Sequence, residues 1–199
     1  MSSTAEPRTP STAALQIEPL ATPGAMQACV RLQRLAWGYA DLDVVPVNEL
    51  LSVARSGGIV LGAFTEEDGA RRCVGFCFGL LGRDPDTGEL YHASRMLAVD
   101  PAWRGRGVGR RLKRAQREHA RAQGLRSMRW TFDPLQLGNA WLNLEVLGAV
   151  GVRYHRDLFG PATSSPLHAV GTDRLEVHWS LEDEQRPDFV PARRVPLPW

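Results

Sequence analysis

The chain has 199 residues, about the size of one domain with short extensions, and its 43% hydrophobic and 23% charged residues are an ordinary globular balance from which a core can form. A formal net charge of +2 argues neither for nor against a polyanionic partner, because only the distribution of charge matters. No run approaches the ~18 apolar residues that span a bilayer, and Met1 to Ala14 lacks the charged-then-apolar pattern of a secretory signal, so a soluble, cytoplasmic chain is expected.

Met1 to Ala14, rich in Ser, Thr, Pro and Ala, reads as a disordered arm. Leu15 to Pro19 is a short first strand closed by proline. From Pro23 the spacing of Met26, Val30 and Leu35 predicts a helix to Trp37, ended by Gly38. Tyr39 to Pro46 is a loop, after which Asn48 is expected to cap a short helix, Glu49 to Arg55, stopped by Gly57 and Gly58. Three strands follow: Gly58 to Thr65, Cys73 to Leu81 and Leu90 to Val99. The polar turns around Glu66–Gly69 and Asp84–Gly88 between them predict an antiparallel meander.

After Val99 the pattern changes. Val108, Leu112, Ala115, His119 and Ala122 recur at helical spacing up to Gly124. Leu125 to Phe132 reads as a strand, Asn139 to Leu147 as a helix ending at Gly148, and Val152 to Phe159 as another strand. A loop through Pro166 and Gly171 leads to Arg174 to Leu181, where Leu175, Val177 and Trp179 alternate with polar neighbours. Glu182 to Trp199 is a proline-rich tail. The chain thus divides into an arm (1–14), one mixed α/β domain of the α+β kind (15–181), and a tail (182–199). Its sheet is expected to be mostly antiparallel, with parallel pairing where a helix crosses between strands.

The three cysteines, Cys29, Cys73 and Cys77, show no metal-binding spacing and read as buried, reduced thiols. Cys73 and Cys77 stand four apart in a strand, which predicts that they share a face yet cannot bridge.

Arg104-Gly105-Arg106-Gly107-Val108-Gly109-Arg110 is the most informative stretch. Here a strand ends and glycines alternate just before a helix. Glycines let the backbone curl so that successive N–H groups point into one hollow. A helix N-terminus adds roughly half a positive charge there, and the arginines add full ones, an arrangement suited to a diphosphate. A dinucleotide fold asks for Gly-x-Gly-x-x-Gly after the first strand of a parallel sheet, and a P-loop asks for Gly-Lys-Ser/Thr; neither is present. Two blander readings remain beside this one. The arginines could simply be solvated. Alternatively, since ten basic residues and one acid lie between Arg104 and Arg129, the helix could track a nucleic-acid backbone. No aromatic residues interleave with those arginines to stack bases, so nucleic acid is not the expected partner.

The Arg-x-x-Gly-x-Gly pattern of Arg104, Gly107 and Gly109 resembles that of the Gcn5-related N-acetyltransferase superfamily, and the resemblance extends over the element order from about Leu15 to Leu181. It implies that family's acyl-CoA N-acyltransferase fold and acetyl-CoA as acyl donor. On this likeness Met96, Leu97, Ala98 and Val99 would run beside the pantetheine arm. Arg104, Gly105, Arg106, Gly107, Val108, Gly109 and Arg110 would hold the pyrophosphate. Asn139 and Asn143 would flank the thiol end. A narrower likeness, carried by Trp130-Thr131-Phe132-Asp133-Pro134-Leu135 with Asn139-Ala140 and Leu147-Gly148-Ala149, is to a set of bacterial predicted acetyltransferases.

Acyl transfer from a thioester to an amine needs a base for the amine, a donor for the oxyanion and a proton for the thiolate. Many family members carry a tyrosine on the later helix, four residues before its terminal glycine; Leu144 stands there in this chain. Tyr154, His155 and Asp133 are substitutes. His92 and Ser94 are candidates for the base, His92 because imidazole titrates near neutrality, with Glu89 and Glu145 as further carboxylates. Trp37 and Tyr39 occupy the place of the family's substrate lip. The expected acceptor is a small-molecule or protein amine. A CoA-binding module without turnover is the alternative. A homodimer partner would meet Trp179 and the tail ending in Trp199.

Overall fold

Apolar runs separated by polar turns fill the segment between Ile59 and Val99, and there the computed structural model places the centre of a seven-stranded sheet. The structure describes residues 15–67, 69–160 and 165–182. The strands are β1 (Gln16–Pro19), β2 (Ile59–Glu67), β3 (Ala70–Arg83), β4 (Leu90–Val99), β5 (Ser127–Phe132), β6 (Val150–His155) and β7 (Arg174–Ser180). They lie in the order β1-β2-β3-β4-β5-β7-β6. All neighbours are antiparallel except β4 and β5, the one pair joined through a crossover helix.

The helices are α1 (Pro23–Trp37), α2 (Val47–Arg55), α3 (Val108–Ala122) and α4 (Leu137–Ala140), and α4 continues as a π-helical turn over Trp141–Val146. Two apolar layers sandwich the sheet. On one face α1 and α2 pack Met26, Leu32, Leu50 and Val53 against Val60, Phe76, Phe78 and Ala98. On the other, α3 and the α4 turn pack Val108, Leu112 and Leu142 against Leu61, Val74, Met128, Trp130 and Val177. Burial of those stripes, at about 25 cal/mol per Å² of apolar area, holds the helices in place.

Several expectations change in detail. The short helix begins at Val47 with Pro46 at its cap, so Asn48 lies inside the first turn and caps nothing; proline's fixed φ supplies the entry geometry. The second meander strand starts at Ala70 rather than Cys73, and β6 spans Val150–His155 rather than Val152–Phe159. The arm 1–14 and residues 183–199 of the tail lie outside the described residues.

Cys73 and Cys77 do not share a face. Ala63 pairs with Gly75 and Phe64 with Cys73, so Val74 is an extra residue, and beyond it the alternation is inverted. Cys73 packs with Phe76 and Phe78 under α1, whereas Cys77 packs with Val74 under α3. All three thiols are free and buried. Trp179 is also buried, its ring edge-on to Trp130 at 6.2 Å, so it belongs to the core and offers no surface to a partner.

Candidate active site

A second bulge shapes the site. Phe78 pairs with Met96 and Gly79 with Ser94, leaving Arg95 as the extra residue in β4. Before it, His92 and Ser94 face α3; after it, Leu97 and Val99 do, and Met96 and Ala98 face α1. Arg95 itself is exposed.

Across from this bulge the sheet opens. β4 and β5 pair only at His92 with Met128 and Ala93 with Arg129, although β4 continues to Val99 and β5 to Phe132. The two strands form a fork whose apex is at Ala93 and Arg129. One prong carries the backbone groups of residues 95–99 on an edge that β5 does not pair. Met96, Leu97 and Val99 are half-buried there and Ala98 is buried.

The open end of the fork leads to the glycine turn. Asp100 closes β4. Its N–H donates to Val74 C=O (2.8 Å), and its carboxylate accepts from Ala102 N–H (3.1 Å) and pairs with Arg72 (2.8 Å) and Arg31 (3.6 Å). A short 3₁₀ turn, Pro101–Trp103, buries the Trp103 ring, with the Arg106 guanidinium 5.1 Å above it. Gly105 (φ +74°) and Gly107 (φ +76°) then adopt left-handed conformations that side-chain-bearing residues rarely take. A Cβ on either would meet nothing within 4 Å, so the hollow beside them is open. The first helical bond of α3 runs from Arg111 N–H to Gly107 C=O (3.0 Å). The Val108 and Gly109 amides precede that ladder and lie at the positive end of the helix dipole. Arg104 is exposed, Arg106 and Arg110 half-buried. Leu142 of the α4 turn and Leu97 of β4 both close on Gly109, at 3.6 Å from where its Cβ would stand. Fork, turn and the α4 segment thereby adjoin one another at Gly109. An extended thioester arm with a diphosphate fits that donor set: a strand edge that β5 does not pair, a helix N-terminus, and the cations of Arg104, Arg106 and Arg110.

The candidates for proton transfer are dispersed. His92 is 1% exposed under α3, and burial, aided by the Lys113 charge, pushes its imidazole down to about 3. Its Nε2 has no hydrogen-bond partner among the described residues. Ser94 is also buried, donating to Gln116 Oε1 (2.9 Å) and accepting from Lys113 Nζ (2.7 Å). Both turn away from the α1 side of the fork. Asp133, half-buried just past β5, accepts from Leu135 N–H (2.9 Å), as a turn residue does. Tyr154 pairs with Leu175 and so lies on the α3 side of the edge strand β6, exposed, its hydroxyl donating to Asp173 at 2.5 Å. That bond raises the phenol's pKa. Asn143 is buried and receives the Trp130 indole N–H (3.3 Å) while donating to Asn139 (3.1 Å), which leaves Asn139 as the exposed end of the chain. Leu144 packs into the core. Glu89 is 3.6 Å from Arg129, and Glu145 is exposed.

Trp37 and Tyr39 stack at 5.4 Å. Their segment is pinned by Ser165 Oγ donating to Trp37 C=O (2.7 Å), with Pro166 against Gly38. Arg174 is buried near Tyr39, 2.7 Å from His168 Nε2 and stacked over Phe159.

The sequence reading singled out His155 but missed the polar cluster it joins on the α1 side of β7. Glu176 Oε2 lies 2.9 Å from His155 Nε2, and its Oε1 lies 3.3 Å from His178 Nε2. Burial alone would raise the Glu176 pKa; the two imidazoles outweigh it and lower it. The alternation Glu176-x-His178 opposite the core residues Val177 and Trp179 was the available signal. α3, by contrast, spends much of its charge internally: Lys113 and Arg117 are buried, and Arg111 and Arg117 donate to the carbonyls of Leu15 and Leu181. Little is left to form a continuous basic track.

Among the described residues no helix is long and apolar enough to cross a membrane, and no cluster of His, Cys, Asp and Glu could hold a metal ion. The model of the acetyltransferase (GNAT) family matches residues 27–157. Solved structures share the fold at low identity. The ribosomal-protein-S18-alanine N-acetyltransferase from Escherichia coli is 14% identical with a TM-score of 0.60, covering 88% of this chain and 99% of its own. An acetyltransferase of the GNAT family from Streptococcus pneumoniae is 17% identical at 0.63, covering 83% and 98%. The structure of yncA from Salmonella typhimurium with its cofactor acetyl-CoA is 20% identical at 0.60, covering 88% and 99%. No curated protein sequence matches the chain. The chain belongs to the acetyltransferase (GNAT) family, and its mostly antiparallel sheet is that family's acyl-CoA N-acyltransferase fold.

Proposed function

We propose that this member of the acetyltransferase family moves an acetyl group from acetyl-CoA to an amine of a small molecule or a protein. The fork between β4 and β5, opening onto the glycine turn, is the observation that carries the reading. In this assignment the backbone groups of Met96, Leu97, Ala98 and Val99 receive the pantetheine arm as an added strand would be received. The amides at Gly105, Gly107, Val108 and Gly109, with Arg104, Arg106 and Arg110, hold the pyrophosphate. Asn139 reaches the arm from α4, and Asn143 holds Asn139 in place. When bound, acetyl-CoA supplies the activated acyl group; the protein supplies position and oriented donors, which alone can remove several kcal/mol of barrier. The buried free thiols accord with a reducing compartment such as the cytoplasm.

Isothermal titration with acetyl-CoA tests the reading. Saturable binding at micromolar concentrations is expected, weakened when Arg104 and Gly107 are replaced. Absence of heat up to millimolar ligand refutes it.

A second reading, a CoA-binding module with little turnover, is favoured by Leu144, whose packing into the core leaves no hydroxyl on α4 to protonate the thiolate. Free thiol measured with acetyl-CoA and a panel of amines separates the two. Release that depends on one amine eliminates the binding-only reading.

A further inference from the structure

α1 and α2 cover the sheet over β2, β3 and β4. The same face of β5, β7 and β6 carries mostly polar side chains instead: Arg129 and Thr131, then Glu176 and His178, then Arg153 and His155, with the exposed Val150 opposite His178. Within it, the carboxylate of Glu176 sits between the imidazoles of His155 and His178, and all three side chains are about a quarter to a third exposed (25%, 24% and 35%). The register fixes where this unit lies. Arg129, the last β5 residue paired to β4, is opposite His178, and Thr131, the next residue on that face beyond the apex, is opposite Glu176. Glu176 and His178 are therefore one strand away from the apex of the fork and His155 two, all on the face opposite α3. The nearer imidazole, His178, is the one placed for a relay through water.

We propose that the Glu176–His155–His178 unit takes the proton from the acceptor amine, a role that rests on the acyl-transfer reading above. The carboxylate receives an Nε2–H from each imidazole, which fixes their tautomer and leaves each Nδ1 lone pair to accept. The acceptor arrives as an ammonium ion. One proton passes through water to an imidazole of the unit and then to solvent. The freed lone pair forms the C–N bond as the C–S bond of the acetyl donor breaks, and a second proton of the amine goes to the departing thiolate. Charged groups around the unit are largely committed elsewhere. Arg129 pairs with Asp84 and Glu89, and Arg174 is bonded to His168 and the Asp173 carbonyl. Arg153, the β6 partner of Glu176, is exposed, as is Arg95 at the β4 bulge, and Asp133 is half-buried beyond Thr131.

The test compares the full chain with Glu176→Gln and Glu176→Asp. Titration with acetyl-CoA comes first, and equal affinity is expected in all three. CoA release is then followed with spermidine, with an alanine-initiated peptide and with water alone as acceptors. With the fastest of these, Glu176→Gln is expected to lower kcat by roughly 100-fold or more, to leave KM for acetyl-CoA unchanged, and to alter the acidic limb of the kcat/KM–pH profile. Glu176→Asp should recover part of the rate. Lack of binding by the wild-type chain overturns the acyl-transfer reading and this one with it. Equal binding with an unchanged rate and pH profile in Glu176→Gln overturns the proton role alone, whereas binding without CoA release above the buffer rate overturns it together with the acyl-transfer reading.

Discussion

The imidazole of His92 occupies the space that a side chain on Gly79 would need: a Cβ at Gly79 would stand 2.4 Å from His92 Nε2 and 2.5 Å from the Ala93 carbonyl. The two residues lie on adjacent strands next to the Arg95 bulge, so the absence of a side chain at one position makes room for the ring at the other. Gly79→Ala is therefore expected to destabilise the fold by about 1–3 kcal/mol through overpacking against backbone that cannot retreat. A lowered urea midpoint at unchanged slope would show it. An unchanged midpoint would mean that β3 and β4 can part without cost.

Lys113 is a buried cation held by the Ser94 hydroxyl and the face of Trp130, 3.8 Å from the ring centre. Burial pushes its ammonium down to about 7, against a smaller opposing effect of Cys77. Between pH 7 and the ordinary lysine range the unfolded chain holds a proton that the folded chain has lost, so the contribution of Lys113 to stability should rise with pH there, against the opposite contribution of the buried thiols above their ordinary range. Below pH 7 both states hold it, and the cost of the buried charge is fully present. His92, pushed down to about 3, adds a second window: stability should fall as pH drops from the ordinary histidine range toward 3. Urea midpoints from pH 4 to 10 for the wild type and Lys113→Met check this. The variant should lose the Lys113 part of the alkaline slope; an identical slope would contradict the assignment.

Gly107 and Arg104 separate backbone from charge in the turn. Gly107→Ala places a side-chain-bearing residue at φ +76°, which costs about 1–2 kcal/mol, so both stability and acetyl-CoA affinity should fall. Arg104 is exposed, so Arg104→Ala should leave the unfolding midpoint within about 0.5 kcal/mol of wild type. It should weaken acetyl-CoA about tenfold through the lost charge-assisted bond. Calorimetry and chemical unfolding on the same samples distinguish the two.

Cys29, Cys73 and Cys77 are all buried, and burial raises each thiol, Cys77 to about 12. A thiol reagent at pH 8 should find essentially none of them in the folded chain and all three after unfolding. Rapid native labelling of Cys73 would indicate that the β2–β3 bulge opens.

Local chemistry was readable from the residues alone. The glycines after Arg104 announced a curled turn, Asp100-Pro101 a strand end, and Val108, Leu112 and Ala115 a helix with one apolar face. Each depends on a residue's own φ preference or on spacing along one element. The crossover between β4 and β5 followed from the element order. The sequence by itself therefore determined the family pattern and the order of strands and helices, and it marked the glycine turn as the candidate place for a diphosphate. It did not determine which way the strand side chains turn. Alternation with period two sorts residues into two sets without saying which set faces α3, and one extra residue exchanges them. Val74 put Cys73 and Cys77 on opposite faces, and Arg95 fixed His92 and Ser94 beneath α3 while turning Met96 and Ala98 toward α1. The meeting of Glu176 with His155 and His178 was likewise decided by tertiary structure. It requires β6 and β7 to pair in one register around the extra residue Val152, and long-range pairing of that kind is set by how the whole sheet buries its apolar face.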